Sequence, residues 1–386
     1  MRHFPVSSTP PWKVIRLGLL TVPLLFAATH WAAAQDRIYR SESATFRLNT
    51  IASGLEHPWG LAFLPGGDML VTERPGRLRV IRNGKLLAKP VAGLPAVAAR
   101  GQGGLMDVVP HPRFAENRLI YLTYSARGEG GIGTHVARAR FQGDRLHDLE
   151  VIFAALPRSS GGRHFGARIV FGTDGLIYVT SGERGEPDSA QELSTHTGKV
   201  IRLTEDGKVP PDNPFVGRRG ARPENFTYGH RNPQGIARHP RTGRIWTVEH
   251  GPQGGDEINI LAPGANYGWP VITYGRSYAG FAIGEGTHKA GMAQPVKYWV
   301  PSIAPSGMAF YTGDKFPGWK GSLFVGALVL QHLNRLTLSG DRVVGEERLL
   351  EDWGQRIRDV RDGPDGYLYI LTDEDPGALV RLEPAS

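Results

Sequence analysis

The stretch 159-SSGGRHFGARIVFGTDGLIYVTSGERG-185 decides how the chain is to be read. Two apolar runs, predicted as strands over 165–171 and 176–181, flank the turn Gly172-Thr173-Asp174-Gly175. Gly and Asp supply the backbone freedom and local hydrogen bonding that a tight hairpin needs. His164 precedes the first run and Glu183 follows the second, so an antiparallel hairpin carries both side chains to one edge.

The same phrase, an apolar strand, a Gly or Pro turn and a second apolar strand ending in Thr, Val or an acid, recurs along the chain. Its other copies are 59-WGLAFLPGGDMLVTE-73, 104-GLMDVVPHPRFAENRLIYLTY-124, 234-QGIARHPRTGRIWTVEH-250, 306-SGMAFYTGDKFPGWKGSLFVGA-327 and 358-RDVRDGPDGYLYILTD-373. A third strand candidate follows in most of them, as in 77-RLRVI-81, 199-KVIRL-203, 256-DEINIL-261, 333-LNRLTL-338 and 379-LVRLE-383. One such unit cannot bury both of its faces, so neighbours must stack, and closing the ring protects the terminal edges. The chain is therefore read as all-β, a single six-bladed β-propeller over 35–386. The insertions 205–225 and 275–295 read as loops, which on one rim of a propeller form the binding face.

Composition agrees. Fifty-one Gly and 29 Pro are scattered along 386 residues, and 40% hydrophobic content excludes a disordered chain. The first 34 residues are different in kind: Arg2, Lys13 and Arg16, then the apolar run 17-LGLLTVPLLFAAT-29, then 32-AAA-34. This is the pattern of a secretory signal peptide cleaved after Ala34, with a run too short for a membrane span. The mature protein is expected to be periplasmic or secreted, with no membrane insertion. Three of the 45 Lys and Arg lie in that leader, leaving a mild excess over the 37 Asp and Glu. Without a basic cluster interleaved with aromatics, nucleic acid is not expected as a partner. With no cysteine at all, disulfides and thiol chemistry are excluded.

Polar residues recur where the inner strands begin: Gln102 in 101-GQGGL-105, His164, Arg231 and Asn232 in 229-GHRNPQG-235, Ser302 in 299-WVPSIAPSG-307, and Arg356 and Arg358 in 355-QRIRDV-360. Three arginines and a histidine around one channel mouth favour an anionic ligand. The bland alternative pairs the arginines with Asp359 and Asp362. His164 suits a general base and Glu183 its orienting acid; a solvated loop histidine and a turn carboxylate are the plain readings. The segment 249-EHGPQGGDEINILAPGANYGWP-270 offers Asp256, Glu257 and many backbone carbonyls, oxygens of the kind calcium takes, although it is no EF-hand. No HExxH motif and no G-x-S-x-G elbow is present.

From about His57 onward the chain resembles the soluble, pyrroloquinoline-quinone-dependent sugar dehydrogenases of the glucose/sorbosone dehydrogenase family, and most closely their aldose sugar dehydrogenase branch. The phrases that carry the likeness are HPWGLAFLPGGDMLVTER, GQGGLMDV, HFGARIVF, GKVIRL, YGHRNPQG, EHGPQGGDEINIL, NYGWP, APSGMAFY and RIRDVRDGPDGYLYILTDE. The resemblance implies that pyrroloquinoline quinone (PQQ) and Ca2+ are cofactors. It implies His164 as catalytic base, with Glu183 beside it and Gln102 on the sugar and quinone side. Arg231, Asn232, Tyr278, Ser302, Arg356 and Arg358 match cofactor-binding positions. Carbonyls of Gly251 and Pro252 would bind the calcium at the quinone, and Glu257 with the Tyr267 carbonyl a structural calcium. The implied reaction is oxidation of an aldose at C1 to an aldonolactone, electrons passing to an unidentified acceptor, by a monomer or homodimer. Two departures stand out: Glu183 replaces an Asp, and Val329 in 326-GALVLQHL-333 replaces a cofactor-binding lysine. Two other readings compete, a calcium-dependent propeller lactonase and a non-catalytic sugar-binding propeller.

Overall fold

The computed structural model describes residues 37–385 together with Met1, so the leader predicted over 1–34 and its cleavage point lie, Met1 apart, outside the described residues. Six small antiparallel sheets follow one another along the chain. Blade 1 starts with Pro58–Phe63, blade 2 with Leu105–Pro110, blade 3 with Ile169–Phe171, blade 4 with Pro233–Arg238, blade 5 with Pro305–Phe310 and blade 6 with Ile357–Asp362. Each of these first strands packs against the first strands of the blades before and after it, and blade 6 meets blade 1, which closes a six-bladed β-propeller. Among the described residues no helix is long and apolar enough to cross a membrane.

Burial follows from stacking. The second strands of blades 3 to 6, such as Leu323–Ala327 and Leu368–Thr372, are buried at every position because both faces lie against neighbouring blades. The outermost strand of blade 5, Arg342–Leu349, instead alternates between exposed and half-buried positions. The core is a set of inter-blade layers: Leu70, Leu78 and Val80 of blade 1 pack on Leu105, Ile120 and Leu122 of blade 2. Trp246, Val248 and Ile258 of blade 4 pack on Phe310, Leu323 and Val325 of blade 5 in the same way.

Two features depart from the sequence reading. The first strand of blade 3 is Ile169–Phe171, shorter than the predicted 165–171, because His164, Gly166 and Ala167 take positive φ values of 55°, 64° and 73° that an extended strand cannot accommodate. The ring is closed by the N-terminal strand Thr45–Leu55, which pairs antiparallel with the last strand, Phe46 opposite Pro384 and Asn49 opposite Arg381.

At the axis the first strands meet around charge. Arg168 is 2% exposed, and its Nη1 lies 3.0 Å from Asp359 Oδ1 and 3.4 Å from Asp107 Oδ1. Arg361 completes the square, donating through Nε to Asp359 and through Nη2 to Asp107, both at 2.8 Å. The remaining valences reach the backbone: Arg168 donates to the carbonyls of Gln234 at 2.8 Å and Arg358 at 3.0 Å, while the carboxylates accept from Leu61 and Ile169 N–H groups. Blades 1, 2, 3, 4 and 6 are tied by these bonds, and a Cβ on Gly307 of blade 5 would meet Asp359 Oδ1 at 2.2 Å. The network separates a polar mouth, where the first strands begin, from an apolar mouth lined by Val109, Phe171, Ile236 and Phe310, where they end.

Breaking a buried pair by removing one partner costs about 3–5 kcal/mol, because the charge left behind keeps its desolvation penalty. Arg168→Met is therefore expected to lower unfolding free energy by about that amount in a denaturant titration followed by tryptophan fluorescence. A loss below about 1 kcal/mol would show that the network is not a main support of the ring.

Candidate active site at the polar mouth

The polar mouth holds a cavity of about 200 Å3 lined by Trp59, Arg74, Gln102, Asn232, Gln234, His250, Leu328, Arg356, Arg358 and Asp373, among others. Four of these, Gln102, Asn232, Arg356 and Arg358, are residues singled out in the sequence at the entrances to the first strands. His164 adjoins them: its backbone N–H donates to Gln102 Oε1 at 2.7 Å.

The hairpin of blade 3 does bring His164 and Glu183 together, with Nδ1 and Oε1 2.5 Å apart. Both are buried, His164 at 8% and Glu183 at 1% exposure. Gly182 permits the approach, since a Cβ there would lie 2.2 Å from the His164 carbonyl oxygen. Arg184 clamps the loop from behind: its guanidinium lies 3.4 Å from the Phe165 ring centroid and donates to the carbonyls of Gly161 and Arg163. Burial pushes the His164 pKa below its ordinary 6.5, opposed by its hydrogen bond to Glu183 and assisted by the nearby Arg231 charge. The imidazole is thus neutral at pH 7.

Arg356 and Arg358 do pair with a nearby acid, as the bland reading offers, but with Asp373 in place of its examples Asp359 and Asp362. Both turn to Asp373, at 3.2 and 2.9 Å, and Arg358 also donates to Gln234 Oε1 at 3.2 Å. Two guanidiniums thus share one carboxylate, whose pKa they hold below the usual range against burial. Asn232 Oδ1 accepts from Gly166 N–H at 3.2 Å, fixing the loop that follows His164. Arg231 donates to the Gly251 carbonyl at 2.6 Å, and its own N–H is taken by Glu249, which also holds His230. His250, pushed down to about 3 by burial and neighbouring arginines, is neutral and bonds the Pro305 carbonyl.

The other expected residues are placed less uniformly. Ser302 faces away from the arginines and donates to Asp256, which accepts also from the Gly251, Ile303 and Ala304 N–H groups. Tyr278 stands 77% exposed on the loop 275–295, and Val329 is 58% exposed and adds no charge. Gly251 and Pro252 are buried in a turn so tight that a Cβ on Gly251 would meet the Gly254 oxygen at 2.2 Å. Glu257 lies opposite Glu249 in the strand register, and Asn259 Nδ2 is 3.3 Å from a carboxylate oxygen of each. Burial and Glu249 push Glu257 up to about 8, a crowding of carboxylates that a divalent cation would relieve. Tyr267 stacks on His230 with ring centroids 4.7 Å apart and donates its hydroxyl to Ile260. Among the described residues no three His, Asp or Glu side chains gather as a metal site, so any cation here would depend on carbonyl oxygens as well.

Trp59, Arg74, Gln234, His250 and Asp373 were missed by the sequence reading. One signal could have found Asp373. The acid closing the second strand recurs as Glu73, Glu183, Glu249 and Asp373, and in each blade it grips side chains: Arg77 and Arg79, His164, His230, and Arg356 with Arg358.

Comparison with known proteins adds the lineage. Residues 55–381 match the Glucose / Sorbosone dehydrogenase family. An aldose sugar dehydrogenase of Escherichia coli is 47% identical over 376 residues, covering 96% of this chain and 99% of that one. A crystal structure of a glucose dehydrogenase, 52% identical, superposes with a TM-score of 0.86 over 88% of this chain and 99% of the other. The PQQ-bound aldose sugar dehydrogenase of Streptomyces coelicolor, 28% identical, gives 0.74 over 89% and 99%. With a match that spans all six blades and the whole polar mouth, the chain belongs to the glucose/sorbosone dehydrogenase family.

Proposed function

We propose that this protein is an exported sugar dehydrogenase, periplasmic or secreted, that oxidises aldoses at C1 to aldonolactones with PQQ and Ca2+. The observation that carries the proposal is the buried His164–Glu183 pair standing beside a cavity walled by arginines. The PQQ-bound relative and the sugar dehydrogenases above support the same reading.

The residues fit an aromatic polycarboxylate. Arg356 and Arg358 present guanidiniums only half neutralised by Asp373, and Trp59 offers an aromatic surface. Arg231 Nε and Glu183 Oε2 are buried and, among the described residues, find no hydrogen-bond partner, as expected of atoms awaiting a ligand. Arg231, Asn232, Arg356 and Arg358 would hold the cofactor, with Ser302 acting through Asp256 and Tyr278 reaching in only if its loop folds over. Carbonyls of Gly251 and Pro252 would take one calcium; Glu257 and the Tyr267 carbonyl would take a structural one. When bound, PQQ supplies an electrophilic quinone carbon that accepts the C1 hydride, with calcium as the adjacent Lewis acid.

The protein's own part is to hold and move a proton. With Nδ1 committed to Glu183, the neutral His164 keeps its lone pair on Nε2, free to take the proton from the anomeric hydroxyl. The imidazolium that results still donates from Nδ1 to Glu183, so its charge is compensated where it forms. Gln102 holds the His164 backbone, and its remaining amide hydrogens can meet the sugar. The electron acceptor is a separate partner, and the enzyme works as a monomer or homodimer.

Dye-linked oxidation of an aldose panel by the purified apo-protein should appear only when PQQ and Ca2+ are both added. His164→Ala should lower kcat by about two to four orders of magnitude. Turnover without PQQ, or none with it, sinks the proposal.

A second expectation concerns pH. Glu183 raises the His164 pKa, so Glu183→Gln removes that support and the pKa falls further below 6.5. The acidic limb of kcat/KM, set by protonation of the base, should move to lower pH while the plateau drops on the order of tenfold or more. A limb that stays in place would mean that Glu183 does not act on His164.

A further inference from the structure

Arg74 is the cavity's unassigned cation. It follows Glu73 at the end of the second strand of blade 1, on the wall that also carries Gln102. The residue is partly buried, and among the described residues its guanidinium has one hydrogen-bond partner, the neutral carbonyl of Gly101, in an exposed bond of 2.8 Å from Nη1. Among the described lining residues the contrast is with Arg356 and Arg358, which share the Asp373 carboxylate. Arg74 has no carboxylate of its own, so its charge is the least compensated at the mouth, and most of its N–H donors remain unspent.

A purely structural role is already filled by its backbone. The Arg74 carbonyl accepts from Leu105 N–H at 3.1 Å and its N–H donates to His57 at 3.1 Å, which ties the 101–105 loop to blade 1 without the side chain. A guanidinium on a cavity wall with an uncompensated charge and unspent N–H donors gains from an anion through charge-assisted, forked hydrogen bonds. Arg74 also sits beside Gln102, the residue that holds His164, so an anionic group bound there would lie on the side of the base.

We propose that Arg74 is a further cofactor-binding residue, donating to a carboxylate of PQQ from the Gln102 wall, opposite in origin to the blade 6 arginines. The proposal rests on the reading that the cavity takes PQQ, and its test separates the two. Apo-protein in excess Ca2+ is titrated with PQQ, following quenching of tryptophan fluorescence, at low and at moderate salt. Arg74→Gln should weaken the PQQ Kd about ten- to hundredfold, as expected for loss of one charge-assisted bond, and should flatten the salt dependence. Arg74→Lys, which keeps charge and gives up the fork, should fall between that variant and the natural protein. If the natural protein binds PQQ and both variants bind it within twofold, Arg74 is not a ligand while the dehydrogenase reading stands. An unchanged Kd with lowered kcat likewise overturns the proposal, leaving Arg74 as a support for the Gln102 loop. Should Arg74→Gln lose its fold by circular dichroism, the lysine variant alone decides by the same criterion. If the natural protein binds no PQQ, both readings fall together.

Discussion

Everything in this molecule depends on the ion network at its axis. Two aspartates and two arginines lie inside the channel, between the mouth where the first strands begin and the mouth where they end, and there they cancel one another's charge. Such a network is costly to desolvate and is retained only if every valence is met. Here backbone groups from several blades meet most of the valences, and Asp359 Oδ1 is left to its ion pair with Arg168, so the geometry of the ring and the balance of the charges are closely tied. The network also makes the channel blind. A ligand entering the polar mouth meets Trp59, whose ring centroid is 4.0 Å from the Arg168 guanidinium carbon, and goes no further.

The candidate site is a variation on the repeat. Every copy of the hairpin ends near the channel mouth, and in four of the blades the second strand closes on an acid. In blade 1 that acid serves structure, gathering Arg77 and Arg79. In blade 6 it holds the pair of arginines facing the cavity, and in blade 3 it holds the histidine. One architectural position thus supplies a staple, an anion-site anchor and an orienting carboxylate, depending on which side chains the preceding loop presents.

This explains what could be read from the amino acids alone. The first two strands of each blade, and the third strand in every blade but the second, were legible because packing on both faces demands unbroken apolar runs, and those runs end at turns and acids. The outer strands were not. They range from two residues at Lys85–Leu86 to 11 at Thr45–Leu55, and no common pattern marks them. His164, Glu183, Gln102, Asn232, Arg356 and Arg358 were legible as polar residues flanking the inner strands of the repeat. Arg74, Trp59 and Asp373 were not, because each sits inside or against a strand where its side chain could equally have met solvent or a neighbouring blade. Ser302 was legible as a residue but not in direction: only the fold shows that the buried Asp256 captures its hydroxyl. The predicted strand after His164 bends away at Gly166 and Ala167, and the positive φ values that bend it are a property of tertiary context that no local pattern announces.

The strand Thr45–Leu55 has a consequence for how the molecule comes into being. It completes blade 6 by pairing with residues made more than three hundred positions later, so the ring cannot be sealed until the last strand has been synthesised. Bringing ends that far apart together costs about 5 kcal/mol in loop entropy, a sum that the eleven-residue strand must repay through its pairing and through Phe46 and Leu48. The chain carries no cysteine to share that task. Closure of the ring is therefore a late event, and a fragment lacking the final blade strand would remain an open crescent with two sticky ends.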